Sequence, residues 1–416
     1  MRLRAIPRGW PDVKPVELVS MLAELPRIRR AASSDAVPDF ERAFARYIGT
    51  RGAVAFPSCT SAIYFSLRAL GLAPGDEIIL PAFTYPSDAA MVVLAGLKPV
   101  FVDVELATAN IDPARIEEKI TSRTRAIFPT HLNGIAADMD AICRIARTRN
   151  LRLIEDCARA CGVEYRGRKL GSSDIGVYSF GYGKNLYLLR GGMATADDET
   201  VLERLRAFKA EFKRVTARAL IFQTLKGTLI KIANEPHIFR FTLFPLLYAQ
   251  KVKGSRFLFK LVHPDPPGPD RFFPSLAVDL TSLQARQGLR FLKRIEAHNR
   301  KRQEIALRME KELSGIPGLL HFRSTEREGI RRISFALGSE RKKDIQRFLF
   351  ENKIDIEDES AVDLASSGVS GASPDGGAYP RTGELHGKLF FLPNHPGLSE
   401  SDVFRIISRV KEFCGA

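Results

Sequence analysis

At 416 residues the chain is too long for one small hydrophobic core, so two or three domains are expected. Apolar residues make up 45% and charged residues 27%, which excludes wholesale disorder. The formal charge of +15, with a pI near 9.7, suits a polyanionic partner, an anionic membrane surface or a phosphorylated substrate, and does not choose among them.

Residues 1–37 carry several prolines and a basic, helix-like piece, Val16–Arg30, and read as an N-terminal arm. The arm has no continuous apolar core ahead of a small-residue cleavage site, so no signal peptide is expected. Five cysteines, Cys59, Cys143, Cys157, Cys161 and Cys414, are spaced too irregularly for a disulfide framework. Cys157 and Cys161 lie four apart, but no His or Cys cluster completes a site around them, so no metal is expected. The protein is read as reduced and cytoplasmic.

Phe40–Tyr47 has helical spacing, with Asp39 as N-cap and Gly49 as stop. A short strand follows, then a turn of Pro57, Ser58, Cys59 and Thr60, then a helix with Ile63, Leu67 and Leu70 on its apolar face, ended by Gly71. A turn of small hydroxyl residues opening a helix offers free N–H groups and the positive end of the helix dipole, which suits a phosphate. An ordinary N-cap has the same appearance. After a Pro-Gly turn at Ala73–Asp76, a strand begins at Glu77–Leu80 and leads to Tyr85, an aromatic able to stack on a flat ligand or simply to pack. Pro99–Val104, Arg125–Pro129, Leu151–Ile154, Ile175–Phe180 and Met193–Ala196 are further strands, separated by helical stretches such as Pro113–Ile120 and Met139–Arg149. The alternation predicts a mostly parallel, three-layer α/β domain.

Two polar positions close apolar runs in this pattern. Leu151–Ile154 is broken at Glu155 and Asp156, and Ile175–Phe180 is followed by a Gly-Tyr-Gly turn and Lys184. Strands laid side by side would bring Asp156 and Lys184 to one sheet edge, outside the carboxyl ends of the strands, where open α/β sheets bind ligands. An amine and a carboxylate on one ligand are what pyridoxal phosphate requires. The lysine forms a Schiff base with the aldehyde, and the carboxylate keeps the pyridine nitrogen protonated so that the ring can accept electrons. A solvated lysine and a capping aspartate would look the same in isolation.

The order of motifs carries more than any one of them. GDEIILPAFTY, KPVFVDVE with NIDPARIEEKIT, TRAIFPTHLNG, LIEDCARACGVEYRGRKLGSSDIGVYSF with GKN, and GGM follow one another between Phe40 and Asp198, and LQARQGL and LPNHPGLSESDVFRIISRVKEF follow later. This series resembles the DegT/StrS-type family of pyridoxal-phosphate-dependent nucleotide-sugar aminotransferases. The resemblance implies a fold-type-I enzyme, with a large domain around a seven-stranded sheet, a smaller C-terminal α/β domain, and a homodimer with sites at the subunit interface. It implies that Lys184 is the Schiff-base lysine and Asp156 the pyridinium partner. Ser179, Thr60 and the neighbouring Cys59 and Ser61 of the turn would bind the cofactor phosphate, and Tyr85 would stack on the ring.

Several positions depart from the family's pattern. Cys59 stands where Gly is usual, and Arg159, where Gln or His is usual, would place a cation near the cofactor's phenolic oxygen. Arg190 replaces a Glu before GGM. Ala277 and Asp279 stand for the Asn and Arg of the family's Asn-Tyr-Arg-Met segment, whose Asn reaches the neighbouring subunit's cofactor phosphate in relatives.

The stretch 213–263 is an apolar and basic insertion with no run of the roughly 18–20 apolar residues needed to span a bilayer. Basic residues among Phe and Leu fit helices lying on an anionic membrane, and they equally fit an insertion packed on a second subunit. His263–Arg271 reads as a linker, so 38–263 is taken as the large domain and 264–416 as the small one. Asp279–Leu313 predicts one long helix, Ile330–Leu337 a strand, Lys342–Glu351 a helix and Ser366–Gly383 a loop. The resulting expectation is transfer of an amino group, from glutamate, to a keto sugar carried on a nucleotide or lipid phosphate, with no nucleic acid involved. A dehydratase of the same family, or a silent membrane-associated binding protein of the same fold, is the alternative; the presence of Lys184 weighs against the dehydratase.

Overall fold

The computed structural model describes residues 4–9, 36–181, 183–188, 190–213, 216–252, 276–277, 279–322, 335–358, 361–367 and 379–416. The helix expected at Val16–Arg30, the linker at His263–Arg271, the start of the strand at 330–334 and the centre of the loop at 368–378 lie outside these residues.

Seven strands form the main sheet: β1 (Gly52–Phe56), β2 (Glu77–Pro81), β3 (Lys98–Val102), β4 (Thr124–Ile127), β5 (Arg152–Asp156), β6 (Ile175–Ser179) and β7 (Gly192–Ala196). Their order is β1-β7-β6-β5-β4-β2-β3. β7 runs antiparallel to both neighbours, and the other pairs are parallel. Alternate residues face opposite sides of a strand, and the chain fills both sides. Ala53, Ala55, Ile79, Ile127, Leu153 and Met193 enter one core, while Val54, Phe56, Ile78, Leu80, Ile154 and Ala194 enter the other. Near-continuous apolar strands are what a sheet covered on both faces demands.

The first core is closed by α1 (Ala36–Ile48), whose Phe40, Phe44 and Ile48 recur every four residues. Phe44 meets Tyr178 of β6 edge-on at 4.9 Å. Because Ala36 and Val37 are buried, the helix begins earlier than the sequence pattern indicates, and Asp39 sits in its first turn rather than at its N-cap. The second core is closed by α2 (Cys59–Ala69), α3 (Pro86–Leu94) and α5 (Glu199–Ala210), while α4 (Met139–Arg149) lies on the first.

Two expected helices come out differently. Pro113–Ile120 forms two separate 3₁₀ turns, Pro113–Arg115 and Glu117–Lys119, because only Pro113 and Ile116 find burial there. Asp279–Leu313 is two helices, α9 (Ser282–Leu292) and α10 (Ile295–Leu313). Thr281 opens α9 with a capping box. The halves serve different cores: Ala285 and Phe291 join α1, while Ile305, Met309 and Leu313 join the C-terminal body.

That body holds a second, antiparallel sheet of β8 (Leu320–His321), β9 (Ala336–Gly338), β10 (Glu357–Asp358) and β11 (Leu389–Phe391), in the order β8-β9-β11-β10. Helices α10, α11 (Lys342–Glu351), and α13 (Glu400–Cys414), after the short α12 (Pro380–Leu385), surround it. Apolar packing crosses position 263 in both directions. Phe239, Phe244 and Leu247 from before it lie in the C-terminal core, as do Ala5 and Ile6, which bridges to Ile354. Between α5 and the C-terminal body come α6 (Ala217–Ala233), α7 (Pro236–Phe239) and α8 (Leu243–Lys251).

Candidate active site

β5 and β6 lie side by side with Asp156 opposite Val177, and both strands point their carboxyl ends into one cavity of about 360 Å³. That volume is in the range of small-molecule sites. Asp156 is held by its backbone: its N–H donates to the Pro129 carbonyl at 2.9 Å, and its carbonyl accepts from the His131 N–H at 3.0 Å. Its Oδ1 accepts the Ala158 N–H at 2.8 Å. Asp156 is 5% exposed, and burial raises its pKa, opposed by the Ala158 N–H and by the charges of Lys184, His131 and Arg159.

Lys184 follows β6 through a turn in which Gly183 adopts φ +78°. The Lys184 N–H donates to the Gly181 carbonyl at 3.3 Å. Asn185 fixes the turn from behind, its amide donating to the Cys161 carbonyl at 2.6 Å and to Asn299 Oδ1 at 3.2 Å. Burial and the Arg159 charge bring the Lys184 ammonium from 10.5 to about 8, with Asp156 and Glu357 pulling the other way. The amine and the acid are thus pushed toward their neutral forms for the same reason, removal from water.

A rigid network underlies Asp156. His131 Nδ1 accepts the Ala137 N–H at 3.2 Å, which leaves Nε2 to donate to Glu155 at 3.0 Å. Glu155 also accepts the N–H groups of Gly171 and Ser173, and its pKa stays low despite burial. His131, Glu155 and Cys157 bring ligating atoms within 4.8 Å of one another, but the hydrogen bonds of the first two make them a buttress for the strand end.

Of the other residues singled out in the sequence, Cys59, Thr60, Tyr85, Arg159 and Ser179 line the same cavity. Ser61 does not. It is fully buried behind the turn, where its N–H donates to the Ser58 N-cap oxygen at 3.1 Å. Ser58 itself lines the cavity. The turn packs so closely on β7 that a Cβ at Gly192 would stand 2.5 Å from the Ser58 carbonyl. Arg190 lines the cavity beside this turn and donates through Nε to the Pro57 carbonyl at 3.3 Å; burial lowers its pKa. Ala277 packs at the edge of the second core.

Further lining groups carry little or no local sequence signal. Arg159 pairs with Glu357 of β10 and lies 4.7 Å over the Phe391 ring, so the C-terminal sheet reaches into the cavity. Asp88 is buried and accepts from the hydroxyls of Thr84 at 2.7 Å and Thr130 at 3.2 Å; burial, then the Asp156 charge, raises its pKa well above the carboxylate range. Asn133 is 1% exposed in a left-handed conformation, φ 60°, and among the described residues neither atom of its amide has a hydrogen-bond partner. A buried amide without partners facing a cavity points to a ligand.

These groups fit pyridoxal phosphate. A cationic ring nitrogen would relieve the crowded acids Asp156 and Asp88. A phosphate suits the N-terminal turn of α2 with Arg190 beside it, and a partly neutral amine suits an aldehyde.

A sequence model of the DegT/DnrJ/EryC1/StrS aminotransferase family matches residues 17–234 and 270–411. The chain is similar to the spore coat polysaccharide biosynthesis protein SpsC of Bacillus subtilis (strain 168), 32% identical over 291 residues, 68% of this chain and 63% of the relative. It is similar to the GDP-perosamine synthase of Caulobacter vibrioides, 42% identical over 176 residues, 42% of this chain and 47% of the relative. The chain thus spans about half to just under two thirds of the length of these curated relatives. A solved structure of S. venezuelae DesV in complex with a ketimine intermediate superposes with a TM-score of 0.76 at 26% identity, covering 100% of both chains.

Proposed function

The chain belongs to the DegT/DnrJ/EryC1/StrS aminotransferase family, and from that premise we propose that it transfers an amino group from glutamate to a keto sugar carried on a nucleotide or lipid phosphate. The observation that carries this reading is the pairing of a desolvated Lys184 with a buried Asp156 across one cavity. When bound, pyridoxal phosphate supplies an aldehyde for amines and a ring that draws electrons from the carbon bearing the nitrogen.

The chain's own residues would do the rest. Asp156 would keep a proton on the pyridine nitrogen, aimed by its fixed backbone and the Ala158 N–H. Ser58, Thr60, Ser179 and Arg190, which line the cavity, would receive the phosphate, and Tyr85, half exposed at the end of β2's extension, would cover the ring. Lys184, with its ammonium near 8, is neutral often enough at neutral pH that it would hold the aldehyde and move a proton at the substrate carbon. Arg159, paired to Glu357, adds a cation on the side of Lys184. In this reading residues 38–263 supply the cofactor groups and 264–416 supply Glu357 and Ala361 to the wall. The working unit is a cytoplasmic homodimer, a reading supported by the family likeness.

The test is a spectrum of the purified protein with pyridoxal phosphate. A visible band that glutamate bleaches, with 2-oxoglutarate released in equal amount, supports the reading. A band indifferent to glutamate and to other amino acids would remove amino transfer from it.

A further inference from the structure

We propose that helices α6, α7 and α8 form a platform that docks on the surface of an anionic lipid bilayer, an inference that does not rest on the reaction above. Among the described residues, thirteen large apolar side chains are exposed, and eight of them lie between Ile221 and Leu246. On α6, Ile221, Leu225, Leu229 and Ile232 recur along one face of the helix. Phe222 and Leu229 are about two thirds exposed, and Phe241, between α7 and α8, is 76% exposed. Monomeric proteins leave so concentrated an apolar surface in water only where something covers it.

The platform already has one apolar face packed. Phe239, Phe244 and Leu247 sink into the C-terminal core, where Phe244 stacks on Phe350 at 5.9 Å. Thr242 ties the junction by donating to the Ala233 carbonyl at 2.9 Å. The side turned outward, with Ile238, Phe241 and Leu246, is therefore surplus to the fold. A helix set against a core needs a single apolar stripe.

Charge selects the partner. The segment 213–263 holds ten Lys and Arg against one acid, Glu235. Arg218, Lys226 and Arg240 stand on the described part of the platform among the exposed hydrocarbons. A second copy of the chain, meeting this face through a two-fold axis, would set the basic patch against itself. An anionic bilayer accepts both features at once, taking the apolar side chains below the headgroups and pairing the cations with lipid phosphates. No helix among the described residues is long and apolar enough to cross a membrane, so the contact is in the plane of the surface.

The full chain should be sedimented with phosphatidylcholine vesicles containing or lacking phosphatidylglycerol. It should bind the anionic vesicles, and binding should fall about tenfold or more when salt is raised and in the variant Phe222→Glu, Leu229→Glu, Phe241→Glu. The variant Arg218→Gln, Lys226→Gln, Arg240→Gln keeps the apolar face and should lose the preference for anionic over neutral vesicles. Circular dichroism checks that both remain folded. Failure of the unaltered chain to sediment with anionic vesicles overturns the proposal. So does equal binding to neutral vesicles, or conversion of a dimer to a monomer by the acidic triple variant while vesicle binding is unaffected.

Discussion

The cavity at the ends of β5 and β6 keeps ionisable groups out of water, whereas the α6–α8 platform keeps hydrocarbon in it. Each arrangement is unfavourable for the chain by itself, and each becomes favourable once a partner of the right chemistry arrives. The difference lies in how the two are supported. Asp156 and Lys184 are fixed by backbone hydrogen bonds, the Glu155–His131 buttress and Asn185, so the cavity is preorganised. Among the described residues the platform is anchored along one face, by Phe239, Phe244 and Leu247, which suits a partner that is itself fluid.

Removing the cavity's charges should therefore damage function without harming the fold. The largest effect is expected from Lys184→Ala, which should lower amino transfer by more than about 10³-fold, since the proposed nucleophile and proton carrier are both lost. The same position tests the strain of burial. Its folded pKa of about 8 lies below the ordinary 10.5. Between those values the folded chain binds fewer protons here than the unfolded one, so the destabilisation is complete below about 8 and fades as pH climbs toward 10.5. In the absence of cofactor, Lys184→Met should gain roughly 2 kcal/mol at pH 7, read by urea denaturation, and little near pH 10.5. A loss of stability at pH 7 would contradict the picture of a desolvated amine.

Asp156→Asn keeps the shape and deletes the charge, and kcat should fall on the order of 10²-fold with weaker cofactor retention on dialysis. Gly192→Ala tests the turn proposed to hold the phosphate, because the added methyl would press on the Ser58 carbonyl. Affinity for pyridoxal phosphate should fall by about tenfold while affinity for pyridoxal, which lacks the phosphate, stays level. Equal losses for both would detach the turn from phosphate binding. The smallest effect concerns the pair that reaches across from the C-terminal sheet. Glu357 raises the Lys184 pKa and Arg159 lowers it. Glu357→Gln should shift the pH midpoint of cofactor uptake downward, Arg159→Gln upward, each by less than about one unit.

Much of the large domain was legible because its strands are short apolar runs bounded by turn residues, and because Asp156 ends one of them and Lys184 follows the turn after another. The segment Pro113–Ile120 misled because a proline start and apolar residues imitate a helix, whereas only Pro113 and Ile116 are buried. The break between α9 and α10 falls at Lys293 and Arg294, with no Gly or Pro to mark it; it follows from two cores pulling on one stretch of chain. Glu357 arrives at the cavity through the pairing of β10 with β11, 198 positions from Arg159 in sequence, and nothing local announces it. Asn133 was more accessible: Asn before Gly favours a left-handed turn, and that dipeptide stands in the sequence.

The most direct measurement is chemical. The protein incubated with pyridoxal phosphate should be reduced with borohydride, digested and mapped by mass spectrometry. A phosphopyridoxyl label confined to Lys184, and absent when glutamate is added before reduction, is the predicted result. A label spread over surface lysines, with Lys184 unmodified, would contradict the assignment of this cavity to cofactor chemistry.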